Sequence, residues 1–192
     1  MRTLVFATAN PNKVKEVQAL LPDDIRIIGL TDIGCFEELP ETHNTLEANS
    51  LEKAEYVHTK YGYDCFSEDT GLEITALGGE PGVDTAHYAG TRDPQSNMQK
   101  VLQLLKGEND RSARFRTVFT LILGGEVFQF EGFVTGQIAE NQRGTYGFGY
   151  DPIFIPDGHQ LTFAELETEV KYQMSHRAKA CNLMTEFLTS QL

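Results

Sequence analysis

Several things are scarce in this 192-residue chain, and each scarcity removes a class of answer. There are three cysteines, Cys35, Cys65 and Cys181, far apart and with no C-x-x-C among them. A reduced, cytoplasmic protein is therefore expected rather than a disulfide scaffold. Lysine and arginine total 16 against 28 aspartates and glutamates, a formal net charge of −12. That balance speaks against non-specific binding to nucleic acid or an anionic membrane. No apolar run approaches the roughly 20 residues that span a bilayer, and Thr8 interrupts the first apolar stretch too early for a signal peptide. The five histidines include no H-E-x-x-H, and G-x-x-x-x-G-K-[ST] is absent, so neither a zincin nor a P-loop enzyme is indicated. There is no internal repeat, low-complexity tract or long linker. What remains is 40% hydrophobic and 23% charged, the composition of an ordinary globular protein, enough for one domain, with two lobes if the core divides.

Patterning supplies the elements. "TLVFA" predicts a strand over 3–8, followed by a helix at about 12–21 with Val14, Val17, Leu20 and Leu21 on one face. "IRII" at 25–28 is a short strand. A second helix at about 45–61 is capped by Asn44 or Thr45 and ended by Gly62. "DCFS" at 64–67 predicts a strand leading into "EDTG", and "LEITAL" at 72–77 alternates like a half-buried strand. A helix at about 94–106 follows, then two long strands around Gly124-Gly125 as a hairpin. Thr162 and Glu165 form a capping-box pattern for a short helix, and Ser175 can cap the last one. The mixture predicts an α/β fold, a mixed elongated sheet with flanking helices, in two lobes around a central cleft.

An acidic protein that binds a polyanion needs a local cationic cluster, a divalent metal, or both. Five segments carry such chemistry. In "TANPNK", Thr8, Asn10 and Lys13 stand at a strand-to-helix junction, where side-chain donors, free helix N–H groups and one charge could meet phosphate oxygens. The plainer reading is a capped helix with an exposed lysine. In "SEDTGLE", the adjacent carboxylates Glu68 and Asp69 precede Thr70 and are expected at a strand end, both facing the cleft. Such a pair wants a cation, and oxygen-only ligands suit Mg2+. Asn49 and Lys53 lie one helical turn apart, with Glu41 just before that helix. In "YGFGYDP", Gly147 and Gly149 permit tight turns that gather Phe148, Tyr150 and Asp151, an aromatic-plus-carboxylate set suited to a nucleobase. Finally, "KYQMSHRAKA" places Lys171, His176, Arg177 and Lys179 around a helix start. Cations are unfavourable there, which suggests an anionic or electron-rich partner.

These segments, "TANPNK", "ET…T…N…KA" at 41–54, "EDTGLE", "GGEPGVDTAHYAG", "GFGYDPIF" and "SHRAKA", occur in one order along nearly the whole chain. Together they resemble the inosine triphosphate pyrophosphatase family, the XTP/dITP diphosphatases. The resemblance implies an ITPase-like (anticodon-nuclease-like) fold, a homodimer, and Mg2+-dependent hydrolysis of ITP, dITP or XTP to the monophosphate and pyrophosphate. It implies Asp69 as proton acceptor and metal carboxylate, with Glu41 as a second metal-linked acid and Glu68 beside them. It implies Thr8, Asn10, Lys13 and Lys53 at phosphate, and Thr70 as a substrate-contacting hydroxyl. Phe148, Gly149, Tyr150, Asp151, Lys171, His176 and Arg177 are implied in nucleotide binding, with Lys171, His176 or Arg177 reading the purine 6-keto group. The chain departs from the family pattern at Glu68 (commonly Asp), Ala48 (commonly Glu, here at Glu47), His87 (usually Arg) and His43 (usually Gly). Two other readings stand beside this one: a pyrophosphatase preferring modified pyrimidine nucleotides, and a nucleotide-binding module without turnover.

Overall fold

The computed structural model describes residues 2–191. Strand β1 (Arg2–Phe6) is a fully apolar run at its C-terminal half and sits inside the sheet. It is followed by α1 (Pro11–Leu20), β2 (Ile25–Ile28) and α2 (Leu46–Tyr61). Thr45 caps α2 through the Ala48 N–H, and Gly62 ends it at φ 75°, a conformation that glycine adopts without the Cβ penalty. Then come β3 (Cys65–Ile74), the two-residue β4 (Pro81–Gly82), α3 (Pro94–Leu104), β5 (Ser112–Leu123), β6 (Glu126–Ile138), β7 (Phe154–Pro156), α4 (Thr168–Met174) and α5 (His176–Ser190). Gly124 and Gly125 both have positive φ (59° and 85°), as a two-residue hairpin between β5 and β6 requires.

The strands form one seven-stranded sheet in the order β2-β1-β3-β5-β6-β7, with β4 on β3. It is mixed: β1 runs parallel to β2 and β3, while β4 on β3 and β7 on β6 are antiparallel. This is the α/β architecture expected from the sequence.

The chain divides into two compact units. Unit 1 holds residues 1–69, 117–132 and 177–192. One face of its strands carries Leu4, Phe6, Phe66, Phe119 and Leu121 against Val17 of α1 and Ala180, Met184 and Leu188 of α5. The opposite face carries Val5, Cys65 and Ile122 against Ala54 and Val57 of α2. The alternation of 65 and 66 between these two clusters is the two-residue period of a strand covered on both sides. All three cysteines are free, buried and in this unit. Unit 2 holds residues 70–116 and 133–176, with a core of Leu72, Ile74, Met98, Val101, Leu105, Phe115, Phe154 and Phe163.

Two expectations are corrected. The expected strands at 64–67 and 72–77 are one: β3 continues without a break from Cys65 to Ile74, so Glu68 and Asp69 sit within a strand and not at its end. The chain can run straight there because Gly71 leaves room for the β4 backbone; a Cβ at that position would lie 2.8 Å from the Gly82 carbonyl oxygen. The Thr162–Glu165 box also forms, with the Glu165 carboxylate accepting from the Thr162 N–H at 2.8 Å, but it closes a single turn and no helix follows. The next helix, α4, begins only at Thr168.

Phe66 stacks on Phe6 (centroids 4.4 Å) and Phe119 (6.0 Å) and is wholly buried. Phe66→Ala is expected to destabilise the protein by about 3–5 kcal/mol, measured as a shift in the urea unfolding midpoint. A loss below ~1 kcal/mol would mean that this stack is not the centre of the unit 1 core.

Candidate active site

In unit 1, the strand period sends Glu68 and Asp69 to opposite faces. Glu68 shares its face with α1 and α5, and there it meets arginine. Arg177 donates from Nε to Glu68 Oε2 at 2.8 Å and from Nη2 to Oε1 at 3.0 Å, while its Nη1 donates to Glu16. Lys13 lies 2.9 Å from Glu68 Oε1. Arg177 and Glu68 are buried to 2% and 1% exposure. Burial opposes the ionised form of Glu68, but the Arg177 guanidinium and the Lys13 ammonium outweigh it and hold the carboxyl well below the usual range. Arg177 is likewise pushed up by Glu68 and Glu16 against the effect of burial.

On the α2 face, Lys53 is 6% exposed. Its ammonium donates to the Glu41 carboxylate and to the Glu68 carbonyl oxygen at 2.8 Å, and lies 3.6 Å from Asp69 Oδ1. Asp69 itself is buried, and its Oδ2 has no hydrogen-bond partner among the described residues. Burial raises its pKa above the usual aspartate value, with Lys53 and Lys13 pulling the other way. A buried carboxylate oxygen left without a donor is costly unless something else meets it. The Asp69 carbonyl accepts from the Thr117 hydroxyl at 3.0 Å, which fixes the strand at this residue.

The junction at α1 differs from the expectation of free helix N–H groups. Pro11 has none, Asn10 Oδ1 accepts from Asn12 N–H (3.0 Å) and Lys13 N–H (3.4 Å), and the Asn10 carbonyl takes Val14 N–H (3.2 Å). The Thr8 hydroxyl accepts from the Asn10 N–H at 3.2 Å. The cap is complete, so an anion here meets side chains and helix dipole rather than free backbone donors.

In unit 2, Asp151 organises the glycine-rich loop. Its Oδ2 accepts from the Phe148 N–H at 2.9 Å and from Lys171 at 2.7 Å, and both members of that ion pair are buried. Gly147 must be glycine: its φ is 71° and a Cβ would fall 2.0 Å from Asp151 Oδ2. Phe148 is half-buried, with the Lys171 ammonium 5.2 Å from its ring centroid. Tyr150 is different. It is 4% exposed, belongs to the core of this unit, and donates its hydroxyl to the Thr85 carbonyl at 2.8 Å. The expected pair of stacking rings thus reduces to Phe148, followed by Gly149 at φ 62°. His176 is buried and stacked on Phe115 (centroids 4.8 Å), and Thr70 is half-buried on β3.

Two further corrections follow. Glu68 does not point the same way as Asp69, and its oxygens are engaged by Arg177 and Lys13, which removes it from a metal set. Arg177 directs Nε, Nη1 and Nη2 into Glu68 and Glu16, so it is no exposed reader of a keto group. The anionic partner that its position at a helix start demanded is the protein's own. Glu16 escaped the sequence reading, yet it stands three residues after Lys13 on the same helical face, which was the available signal.

Among the described residues, no three histidine, cysteine, aspartate or glutamate side chains converge as a ready metal cage. Mg2+ is commonly held by one or two carboxylates together with substrate phosphates. The partnerless Oδ2 of Asp69, with Glu41 on the same lysine, fits that mode in chemistry.

The family model described as "Ham1 family" matches residues 4–187. A dITP/XTP pyrophosphatase of Flavobacterium johnsoniae is 50% identical over 97% of this chain and 98% of its own. One from Bacillus subtilis is 44% identical over 98% of each. The solved Ham1 protein of Staphylococcus aureus superposes with a TM-score of 0.91 at 35% identity, covering 100% of both chains. The fold and the match along the chain define a member of this group, and the chain belongs to the Ham1 family.

The Glu68 carboxyl is depressed in the folded state, so its stabilisation is complete above the unfolded glutamate pKa and is lost as pH falls through the depressed folded value. Glu68→Gln removes the charge that the buried Arg177 fork pairs with and is expected to cost about 3–5 kcal/mol at neutral pH. Its stability should also fall less steeply in acid than that of the wild type. Urea unfolding from neutral to acid pH checks both; parallel acid limbs would show that Glu68 is not the group being protonated.

Proposed function

We propose that this chain hydrolyses non-standard purine nucleoside triphosphates (dITP, XTP and ITP) to the nucleoside monophosphate and pyrophosphate. The observation that carries the reading is Asp69: a buried carboxylate with a raised pKa and one oxygen without a partner, flanked by lysine. It is supported by relatives named dITP/XTP pyrophosphatase that match 97–98% of the chain.

Asp69 takes a proton from the attacking water, a role for which a raised carboxylate pKa is suited. Lys13 and Lys53 face the negative charge of the phosphates, with Thr8 and Asn10 at the same junction and Thr70 one residue beyond the base. Both lysines are held by carboxylates, so a triphosphate would compete with Glu68 and Glu41 for them. Mg2+ would be held by Asp69 and Glu41 and would neutralise charge developing on the phosphoryl oxygens. To the purine we assign Phe148 for stacking, on the loop built by Gly149 and Asp151, and Lys171 or His176 as donors to a 6-keto oxygen. Adenine offers an amino group at that position and would leave such a donor unpaired. We assign the protein to the cytoplasm as a homodimer; no helix among the described residues is long and apolar enough to cross a membrane.

Pyrophosphate release from ITP, XTP, dITP, GTP, ATP and dUTP, each with and without Mg2+, tests the reading. Release should be fastest with the first three and should require the metal. Preference for dUTP would favour a pyrimidine enzyme, and binding of ITP without release would favour a non-catalytic module. Asp69→Asn should retain the fold and lower kcat by roughly 10²–10⁴-fold, the scale of a general base. A near-normal rate in that variant would remove Asp69 from the chemistry. Phe148→Ala should weaken ITP and ATP alike, because stacking does not read the 6-position. A changed ITP/ATP ratio would refute that assignment.

A further inference from the structure

Residues 35–45 carry Glu41 to Lys53 yet contain no helix or strand. The stretch is fixed by α2, along which it runs antiparallel. Glu37 meets Tyr56, Lys60 and Tyr61. Glu41 meets Lys53. Thr42 donates its N–H and its hydroxyl to Glu52, both at 2.8 Å, and the His43 N–H donates to Asn49 Oδ1 at 2.8 Å. Positions 49, 53, 56 and 60 recur every three or four residues, so one face of α2 holds the whole stretch.

The first of these clasps is the densest. A single oxygen, Glu37 Oε1, accepts from the Tyr61 hydroxyl at 2.6 Å, the Tyr56 hydroxyl at 2.9 Å and the Lys60 ammonium. Lys60 also donates to the Tyr56 hydroxyl at 3.0 Å and lies 5.2 Å and 5.5 Å from the two tyrosine ring centroids. Apolar anchorage nearby comes from Cys35 and Leu39, while Phe36 between them is 81% exposed. An exposed ion pair alone would contribute little. Here two neutral phenol donors share the acceptor, and ionic strength does not screen them.

We propose that Glu37 is a positioning residue for the hydrolysis: its clasp on Tyr56, Lys60 and Tyr61 holds residues 35–45 against α2, so that Glu41 stays on Lys53 beside Asp69. This rests on the reading of Asp69 and Glu41 given above. Glu37 touches no reacting atom; it acts through Glu41, and the test must separate that from a general loss of stability.

The test is a double-mutant cycle with a second readout that needs no substrate. Glu37→Ala should lower kcat/KM for dITP roughly tenfold through a misplaced Glu41, and should change nothing further when Glu41 is already alanine. Glu37→Gln keeps an acceptor oxygen for the phenols and should recover most of the rate. Tyr61→Phe deletes one donor without leaving a cavity and should give a smaller loss in the same direction. Hydrogen exchange at the Thr42 and His43 amides should accelerate in Glu37→Ala, while that at Val5 in β1 and at Ala7 just after it stays unchanged. An equal loss in both Glu41 backgrounds, or unaltered exchange at Thr42 and His43, overturns the proposal. Absence of pyrophosphate release from every nucleotide in the wild type would instead defeat the hydrolysis reading, and the exchange arm would still decide whether the clasp exists.

Discussion

Arg177 is the constraint on which unit 1 depends. Burying a guanidinium to 2% exposure is unfavourable unless its donors find matched acceptors. Its planar fork finds them on two elements far apart in sequence, Glu68 of β3 and Glu16 of α1. A lysine could not reproduce the paired bonds to Glu68 while also reaching Glu16, because it lacks the fixed fork. The first turn of α5 is thereby tied to a strand and to another helix, and any slip of one against the others would strand a charge. Lys13 completes the set on Glu68, so its ammonium is positioned by the same network. The apolar contacts of Ala180, Met184 and Leu188 supply adhesion on this face. The ion network supplies the alignment that adhesion alone would leave loose.

Asp69 depends on that alignment from the other side of the strand. Its neighbour is anchored by Arg177, its own carbonyl by Thr117, and its side chain emerges toward α2 and Lys53. Two adjacent carboxylates that would repel on one face are thus separated by the pleat, and each meets its own cation. Glu68 is ionised and satisfied. Asp69 is burdened by burial and keeps one oxygen available. The difference between a structural and a reactive carboxylate is set here by strand parity and not by residue type.

Much of this was legible in the sequence, and the failures have physical causes. The elements bounded by strong local signals were read closely: α2 between Thr45 and Gly62, β2 at "IRII", and the hairpin at Gly124-Gly125. Local preference breaks β3 in two, because Glu68, Asp69 and Gly71 are all poor strand residues. Long-range partners override that preference: Arg177 and Lys13 for Glu68, the β4 backbone for Gly71. The chemistry of "SHRAKA" was misdirected for the same reason. A cation at a helix start does need an anion, but sequence cannot say that it lies 109 residues away in the chain. Tyr150 and Phe148 look alike in "GFGYDP", and only packing distinguishes the ring in the core from the half-buried one. The clasp of residues 35–45 on α2 is hidden on one side only: its α2 partners fall at helical spacing, but the loop residues that meet them obey no repeat.

The placement of the three cysteines carries one more consequence. Cys35 lies in the clasped stretch, Cys65 begins β3 and Cys181 is in α5, so all belong to unit 1 and unit 2 has none. Burial pushes the thiols of Cys65 and Cys181 up to about 12. They are therefore held mainly as thiols in the native state and react slowly with alkylating reagents, which attack the thiolate. Native thiols of this kind act as quiet reporters: their modification reads excursions that open unit 1, with Cys65 and Cys181 on the two faces of its sheet. The native chain thus contains an intrinsic means of measuring the opening of one unit while the other contributes no signal.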